Sequence, residues 1–339
     1  MLADVLKQFE AGRDLSEDMA EECFDALLKE TDEDLLRQLL LAWNAKGSTT
    51  EEIFALARIM RSRAVKIRSK HKTFADTVGT GGSKAKTFNV STAAAFVIAG
   101  GGVPVAKHGN RAASSNSGSA DVLAELGVNA AADPGTAENC LNMLGICFMF
   151  APNYHSLSPV LAKVRRGLGA PTIFNNLGPL CNPADAPHQV IGVWHRDLVE
   201  KTAEVLARLG TQRSWVVHGD DGLDEITLKG STTVAEVANG SVNIFRITPE
   251  DFGVSSQNMN GLQVASPIES ARYVSGILDG SIRQCAAADL ALINAAAAIY
   301  VTGKAKTLDE ALECTRESVK SGAALNKLDE LRSAAGKTA

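Results

Sequence analysis

The chain has 339 residues, 45% of them hydrophobic, 22% charged and 5% aromatic, with a formal net charge of −5. That length accommodates one large domain or two, and the composition is ordinary for a soluble globular protein. The acidic balance argues against a nucleic-acid-binding surface, while leaving room for a local basic pocket.

Residues 1–70 predict short helices. Ser16 is placed to cap "EDMAEECFDALLKE", in which Met19, Cys23, Ala26 and Leu27 recur at helical spacing. Thr31 is the expected cap of "DEDLLRQLLLAW", with Gly47 as its stop, and Thr49 or Thr50 starts "EEIFALARIMRSRAVKI". Leu39, Leu40, Leu41 and Trp43 lie almost all round one helix, so part of it is expected to pack on another domain or subunit.

From about residue 73 the texture changes to glycine-punctuated α/β. "TFADTVG" predicts a strand entering a glycine loop, "STAAAFVIAGGG" a helix and "VPVAKHG" a strand and loop. Ser117 or Ser119 is expected to open the helix "SGSADVLAELGV", and "ICFMFAP" reads as a buried strand. "SWVVHG" and "EITL" read as strands flanking an acidic loop, and "TTVAEV" as a further sheet segment. "AADLALINAAAAIYVTG" is a long alanine-rich helix, and "TLDEALECTRESVKSGAALNKLDEL" closes the chain before a frayed "SAAGKTA". Strands alternating with helices predict an α/β domain over 71–339, with a central mixed, mainly parallel sheet.

The six cysteines (Cys23, Cys140, Cys147, Cys181, Cys285 and Cys314) show no CxxC pair and no histidine at zinc spacing. Reduced, mostly buried thiols are expected. "MLADVLKQFEAGRD" lacks a basic segment followed by an apolar core, and "AAAFVIAGGGV" is too short to span a bilayer. A cytoplasmic protein without membrane contact is the expectation.

Four stretches carry chemistry. In "DTVGTGGSKAKTFNVSTAAAF" the glycines let backbone N–H groups approach an anion ahead of a helix N-terminus. A tight turn needing positive φ is the lesser alternative, and there is neither Walker spacing nor GxGxxG. "VAKHGNRAASSNSGSADVL" gathers Lys107, His108 and Arg111 with Asn110, Ser114, Ser115, Asn116, Ser117 and Ser119. A polyanion cradle fits it better than a solvated loop. "VVHGDDGLDEITL" sets four acidic residues in one loop, either a divalent-cation site or an acidic hairpin, with His218 serving a nearby backbone group. In "LAKVRRGLGAPTIFNNLGPLCNP", Arg165 and Arg166 face different ways on a helix, so one of them can clamp a carboxylate.

With "FAPNYH" and "NNLGPLCNPA", these motifs resemble the anthranilate phosphoribosyltransferase family in order and spacing over nearly the whole chain. The resemblance implies transfer of the phosphoribosyl group of phosphoribosyl pyrophosphate (PRPP) to the amino group of anthranilate. It also implies a nucleoside phosphorylase/phosphoribosyltransferase-like fold. In that fold a helical domain, residues 1–70, has the segment near 160–185 packed on it, hinges to the α/β domain and forms a homodimer. Carried over, Gly79, Gly82, Ser83, Thr87, Asn89, Ser91 and Thr92 would hold PRPP. So would Lys107, His108, Gly109, Asn110, Arg111, Ala112, Ala113, Ser114, Ser115 and Ser119. Ser91 and Glu225 would hold one Mg2+, and Asp224 with Glu225 a second. Gly79, Asn110 and Arg165 would line the anthranilate site, with His108 and Tyr154 walling the channel. No acid–base residue is implied, since orientation and electrostatics suffice.

One departure stands out: the family usually has aspartate after GTGG, and here Ser83 follows, with Lys84 and Lys86 beyond it. The serine hydroxyl is expected to donate to a phosphate oxygen. Two other readings remain: a pyrimidine nucleoside phosphorylase, against which the DGLDE loop and Arg165 stand, and a non-catalytic nucleic-acid-binding relative, against which the acidic charge stands.

Overall fold

The computed structural model describes residues 1–83, 85–112 and 117–336. Its first 64 residues hold helices Leu2–Glu10, Glu17–Lys29, Glu33–Lys46 and Thr50–Arg63, one more than the capping signals predict. Ser16 accepts the Met19 N–H, and Thr49 forms a reciprocal capping box with Glu52. Asp32, not Thr31, caps the third helix, because its carboxylate reaches the Asp34 and Leu35 N–H groups at 3.0 Å. Leu39, Leu40 and Trp43 are at most 1% exposed, while Leu41 remains 48% exposed. The cover is internal: helix Pro159–Leu168 packs on Glu33–Lys46, and helix Ile173–Leu180 packs on Thr50–Arg63.

The α/β part is one sheet. Its strands are β1 (Ala75–Gly79), β2 (Val105–Gly109), β3 (Ile146–Phe150), β4 (His188–Gly192), β5 (Arg213–Gly219), β6 (Thr232–Ala238) and β7 (Ser241–Ile247). They run in the order β3-β2-β1-β4-β5-β6-β7, the first five parallel and the last two antiparallel. "TTVAEV" is therefore part of the same sheet. "EITL" is not a strand. Asn294 takes the place of a strand partner there: its Oδ1 accepts the Ile226 N–H and its Nδ2 donates to Ile226 O, both at 2.9 Å. Gly118, not Ser117 or Ser119, caps helix Ser119–Glu125. Four cysteines are buried, Cys285 is exposed and Cys314 intermediate, and none forms a disulfide.

Two apolar clusters flank the sheet. One is built on helices Val90–Gly100 and Ala286–Val301, whose small residues let them pack closely on each other. The other joins the opposite face to the N-terminal helices. From β1 the chain winds outward through β2 to β3, and from β4 the other way to β5. The adjacent carboxyl ends of β1 and β4 therefore form a topological switch point, where open α/β sheets bind ligands.

Within the helical part, the wholly buried Glu52 accepts from Leu15 N–H and Trp43 Nε1 at 2.9 Å, Lys46 Nζ at 3.0 Å and Thr49 N–H at 3.1 Å. Glu52→Ala leaves three buried donors unpaired and the buried Lys46 ammonium with Asp14 alone, at 2.7 Å. We expect it to lower unfolding free energy by about 3–5 kcal/mol, read from the urea midpoint.

Candidate active site

A cavity of about 290 Å³ opens at this switch point. Of the residues singled out in the sequence, Gly79, Gly82, Ser83, Thr87, Asn89 and Ser91 line it on one side. Lys107, His108, Gly109, Asn110, Arg111, Ala112 and Ser119 line it from β2 and the loop beyond, and Arg165, Asp224 and Glu225 complete it. Thr92 and Tyr154 do not line it. Thr92 is wholly buried in the first turn of its helix, and Tyr154 is 1% exposed in the apolar core, so the expected wall role falls to other residues. Ala113, Ser114 and Ser115 lie outside the described residues.

The glycine loop turns through positive φ at Gly81 (65°) and Gly82 (83°), which side chains resist. At Gly79 the need is proximity, since a Cβ would stand 2.9 Å from Asp224 Oδ2. Ser83 does not point where expected. Its Oγ is 2.7 Å from Ala85 O and 2.6 Å from Gly222 O, so the hydroxyl is engaged by protein carbonyls.

The acidic loop divides its labour. Asp220 pairs with Arg246, and Asp221 accepts from Thr227 Oγ1 at 2.9 Å and Leu223 N–H at 3.3 Å. Those two shape the loop. Asp224 and Glu225 reach the cavity half-buried, where loss of water raises both carboxyls, and Asp224 pushes Glu225 further, to about 8. The Glu225 carboxylate accepts the Ser91 N–H at the start of helix Val90–Gly100. His218 donates from Nδ1 to Val193 O at 2.7 Å, away from any metal role. Among the described residues no three His, Cys, Asp or Glu side chains cluster for a metal. Two adjacent carboxyl groups with the Ser91 hydroxyl nearby nevertheless fit a hard divalent cation that completes its shell with water and phosphate oxygens.

Lys107 is 3% exposed and donates from Nζ to Thr77 O at 2.6 Å and Ser91 Oγ at 3.2 Å. Burial lowers its pKa, and Asp76 and Glu225 oppose that shift. Asp76 itself has no exposure and accepts from His108 N–H, Asn182 Nδ2 and Gln189 Nε2. Burial raises its carboxyl to about 6, against the pull of Lys107. His108 donates from Nδ1 to Gly178 O at 3.0 Å, which fixes Nε2 as a lone-pair acceptor. Burial first, then His155 and Lys107, press its pKa down to about 3, so the ring is neutral at pH 7.

Ser158 starts helix Pro159–Leu168 by accepting the Leu161 N–H, and the helix turns Arg165 inward and Arg166 to solvent. The Arg165 guanidinium sits 4.6 Å from the Phe174 ring centroid, and its buried Nε has no hydrogen-bond partner. Among the described residues it forms no ion pair, and desolvation lowers its pKa to about 10. A guanidinium already stripped of water and unpaired is a receptor for a planar anion.

Sequence reasoning missed Asp76, Asn182, Gln189 and Asn294. The one available signal was polarity out of place, such as a lone asparagine in the alanine-rich "ALINAAAAIY".

Comparison with known proteins places this cavity in context. The glycosyl transferase family, helical bundle domain, matches residues 3–64, and the glycosyl transferase family, a/b domain, matches residues 71–325. Anthranilate phosphoribosyltransferases of Pelotomaculum thermopropionicum and Natronomonas pharaonis are 45% and 44% identical to the chain. Each alignment covers 98% of it, with 96% and 99% of the relatives. The crystal structure of the Thermus thermophilus enzyme superposes with a TM-score of 0.89 at 39% identity, over 98% of this chain and 99% of that one. The Saccharomyces cerevisiae enzyme in complex with PRPP and Mg gives 0.87 at 27% identity, over 98% and 97%. With full-length similarity at this level, and both glycosyl transferase domains in order, the chain belongs to the anthranilate phosphoribosyltransferase family.

Proposed function

We infer that the cavity transfers the phosphoribosyl group of PRPP to the amino group of anthranilate, giving N-(5-phosphoribosyl)anthranilate and pyrophosphate. The observation that carries this reading is Arg165. It is a desolvated guanidinium without an ion pair among the described residues, lining the same cavity as the glycine loop and the Asp224/Glu225 pair. Those features match an acceptor that brings a carboxylate and a donor that brings phosphates. A nucleoside phosphorylase would present no carboxylate to Arg165.

The chain's own groups bind and orient both substrates. Backbone N–H groups of the glycine loop and the N-terminus of helix Val90–Gly100 favour the phosphates. Lys107 holds positive charge at the carboxyl end of β2, near the developing negative charge of the leaving group. Arg165 fixes the acceptor carboxylate and thereby aims the amine at the anomeric carbon. The C–N bond forms as the C–O bond to pyrophosphate breaks, and the amine proton passes to solvent afterwards. An aromatic amine is neutral at pH 7, so no general base is required. Neutral His108 walls the acceptor side without adding repulsive charge. Mg2+ held by Asp224, Glu225 and Ser91, in two ions on this reading, supplies charge neutralisation for pyrophosphate. The yeast relative's complex with PRPP and Mg supports the cation itself.

The same reading divides the chain near residue 70 and groups the 160–185 segment with the helical part. It takes the protein as a cytoplasmic homodimer joined through its helices, with Leu41 among the residues to be covered. No helix is long and apolar enough to cross a membrane among the described residues.

Loss of anthranilate fluorescence, with and without PRPP and Mg2+, tests the activity directly; turnover of thymidine or uridine with phosphate instead would overturn it. Arg165→Ala should raise the anthranilate KM about tenfold to a hundredfold, the worth of a charge-assisted pair, with the PRPP KM nearly unchanged. A larger effect from Arg166→Ala would reverse the assignment. Replacing both Asp224 and Glu225 with alanine should abolish turnover while circular dichroism stays native.

The pH dependence has a fixed sign. Glu225 titrates near 8 when folded, against an ordinary value of 4.5. Between those values the folded chain holds a proton that the unfolded chain has lost, so stability falls as pH rises through the window. His108, whose pKa burial lowers to about 3, contributes the opposite slope below its ordinary value of 6.5. Glu225 is therefore isolated by difference: in EDTA the melting temperature of the native protein relative to Glu225→Gln should fall from pH 5 to 8. A difference that does not change with pH would refute the assignment.

A further inference from the structure

Ser83 sits where two loops of the site meet. Its side chain is 8% exposed, and its Oγ lies 2.6 Å from Gly222 O in the acidic loop and 2.7 Å from Ala85 O in its own loop. The same hydroxyl is hydrogen-bonded to the Asp224 carboxylate, which also accepts the Gly81 N–H. A hydroxyl has one proton, so three acceptors draw on a single donor. Two of the three, Gly222 O and the Asp224 carboxylate, belong to the acidic loop, so a proton given to either bonds one loop to the other.

Further bonds of the acidic loop hold it to itself or to the sheet side. Gly219 N–H donates to Leu223 O, Gly222 N–H donates to Gly219 O, and Thr227 Oγ1 donates to Asp221. Asn294 grips Ile226 just beyond Glu225. The glycine loop is tied in turn to β4 and its exit, through Thr80 N–H to Gly192 O at 2.9 Å and Trp194 N–H to Thr80 Oγ1 at 3.0 Å. Among the described residues, Ser83 and the Gly81 N–H link the two loops at Gly222 and Asp224.

We propose that Ser83 is a positioning residue: its hydroxyl clasps the glycine loop to the acidic loop, so that the loop that receives the donor phosphates also orients the carboxylates for a divalent cation. The clasp rests on the assignment of PRPP and Mg2+ to this cavity. It differs from the role the family aspartate would play here, because a carboxylate in this place would meet two carbonyls and another carboxylate with no proton to share. By linkage, the factor by which a bound cation strengthens donor binding is the factor by which the donor strengthens cation binding.

The test measures cation binding rather than turnover. Free Mn2+, followed by electron paramagnetic resonance, is titrated with the PRPP-free native protein and with Ser83→Ala, Ser83→Cys and Ser83→Thr. Losing one hydrogen bond of this kind should weaken Mn2+ binding about threefold to tenfold in Ser83→Ala. Ser83→Cys, with a weak donor of similar size, should fall between, and Ser83→Thr should restore native affinity. PRPP binding at saturating Mg2+, measured by calorimetry, should change less than PRPP binding at low Mg2+. Native Mn2+ affinity in both Ser83→Ala and Ser83→Cys overturns the clasp, as does a Ser83→Thr variant no better than Ser83→Ala. Failure of the native protein to bind Mn2+ also overturns it. Native binding of Mn2+ and PRPP without consumption of anthranilate leaves the clasp standing and removes the transferase reading instead.

Discussion

The site depends on a carboxylate placed where strands seldom tolerate one. Asp76 has no solvent exposure, yet it lies in β1 at the centre of the sheet. A bare charge there would be prohibitive, and the fold surrounds it with donors: the His108 N–H from β2, Gln189 from β4 and Asn182 just past helix Ile173–Leu180. Lys107 supplies the countercharge. One group thus ties together β1, β2, β4 and the segment leading from the helical part. Without it Lys107 would be a buried ammonium with weaker reason to stay charged, and the cavity would lose its fixed cation.

From that anchor the cavity acquires its polarity. Lys107 and the helix N-terminus stand on the sheet side, and the carboxylates of Asp224 and Glu225 share the same space. These charges are kept apart by rigid elements rather than by solvent. Asn294 fixes the backbone beside Glu225, Gly79 lets Asp224 approach β1, and Phe174 supports the guanidinium of Arg165. Much of the field that a reacting phosphate would experience is therefore built before any ligand arrives, which is what preorganised electrostatic catalysis requires.

What could be read from the chain follows how local each signal is. The N-terminal helices announce themselves because caps and apolar spacing act within a few residues, and Ser16 and Thr49 behave accordingly. The glycine loop and the "KHGNR" stretch were legible because their donors are dense in sequence. Strand β4 was not. Its buried positions include His188 and Gln189, whose partners lie on other elements, so the expected apolar run never appears. "EITL" failed in the opposite sense, since its apolar alternation is real but a distant asparagine takes the backbone bonds a strand would need. Thr92 and Tyr154 were reasonable residue types in the right neighbourhood, but neither faces the cavity, and side-chain direction is set by packing that sequence spacing does not encode.

Arg165 and the phosphate-facing groups belong to different layers of the molecule. Arg165 rides on a helix packed against Glu33–Lys46, within the apolar cluster of the helical part, whereas Lys107, Asp224 and Glu225 are carried by the sheet and its loops. Changes in the helices that carry Arg165 leave the acidic loop untouched, whereas the Asp76 anchor senses helix Ile173–Leu180 through Asn182. The acceptor clamp and the phosphate-facing groups are thus carried by separate layers, so that closing one against the other sets the distance between nucleophile and donor.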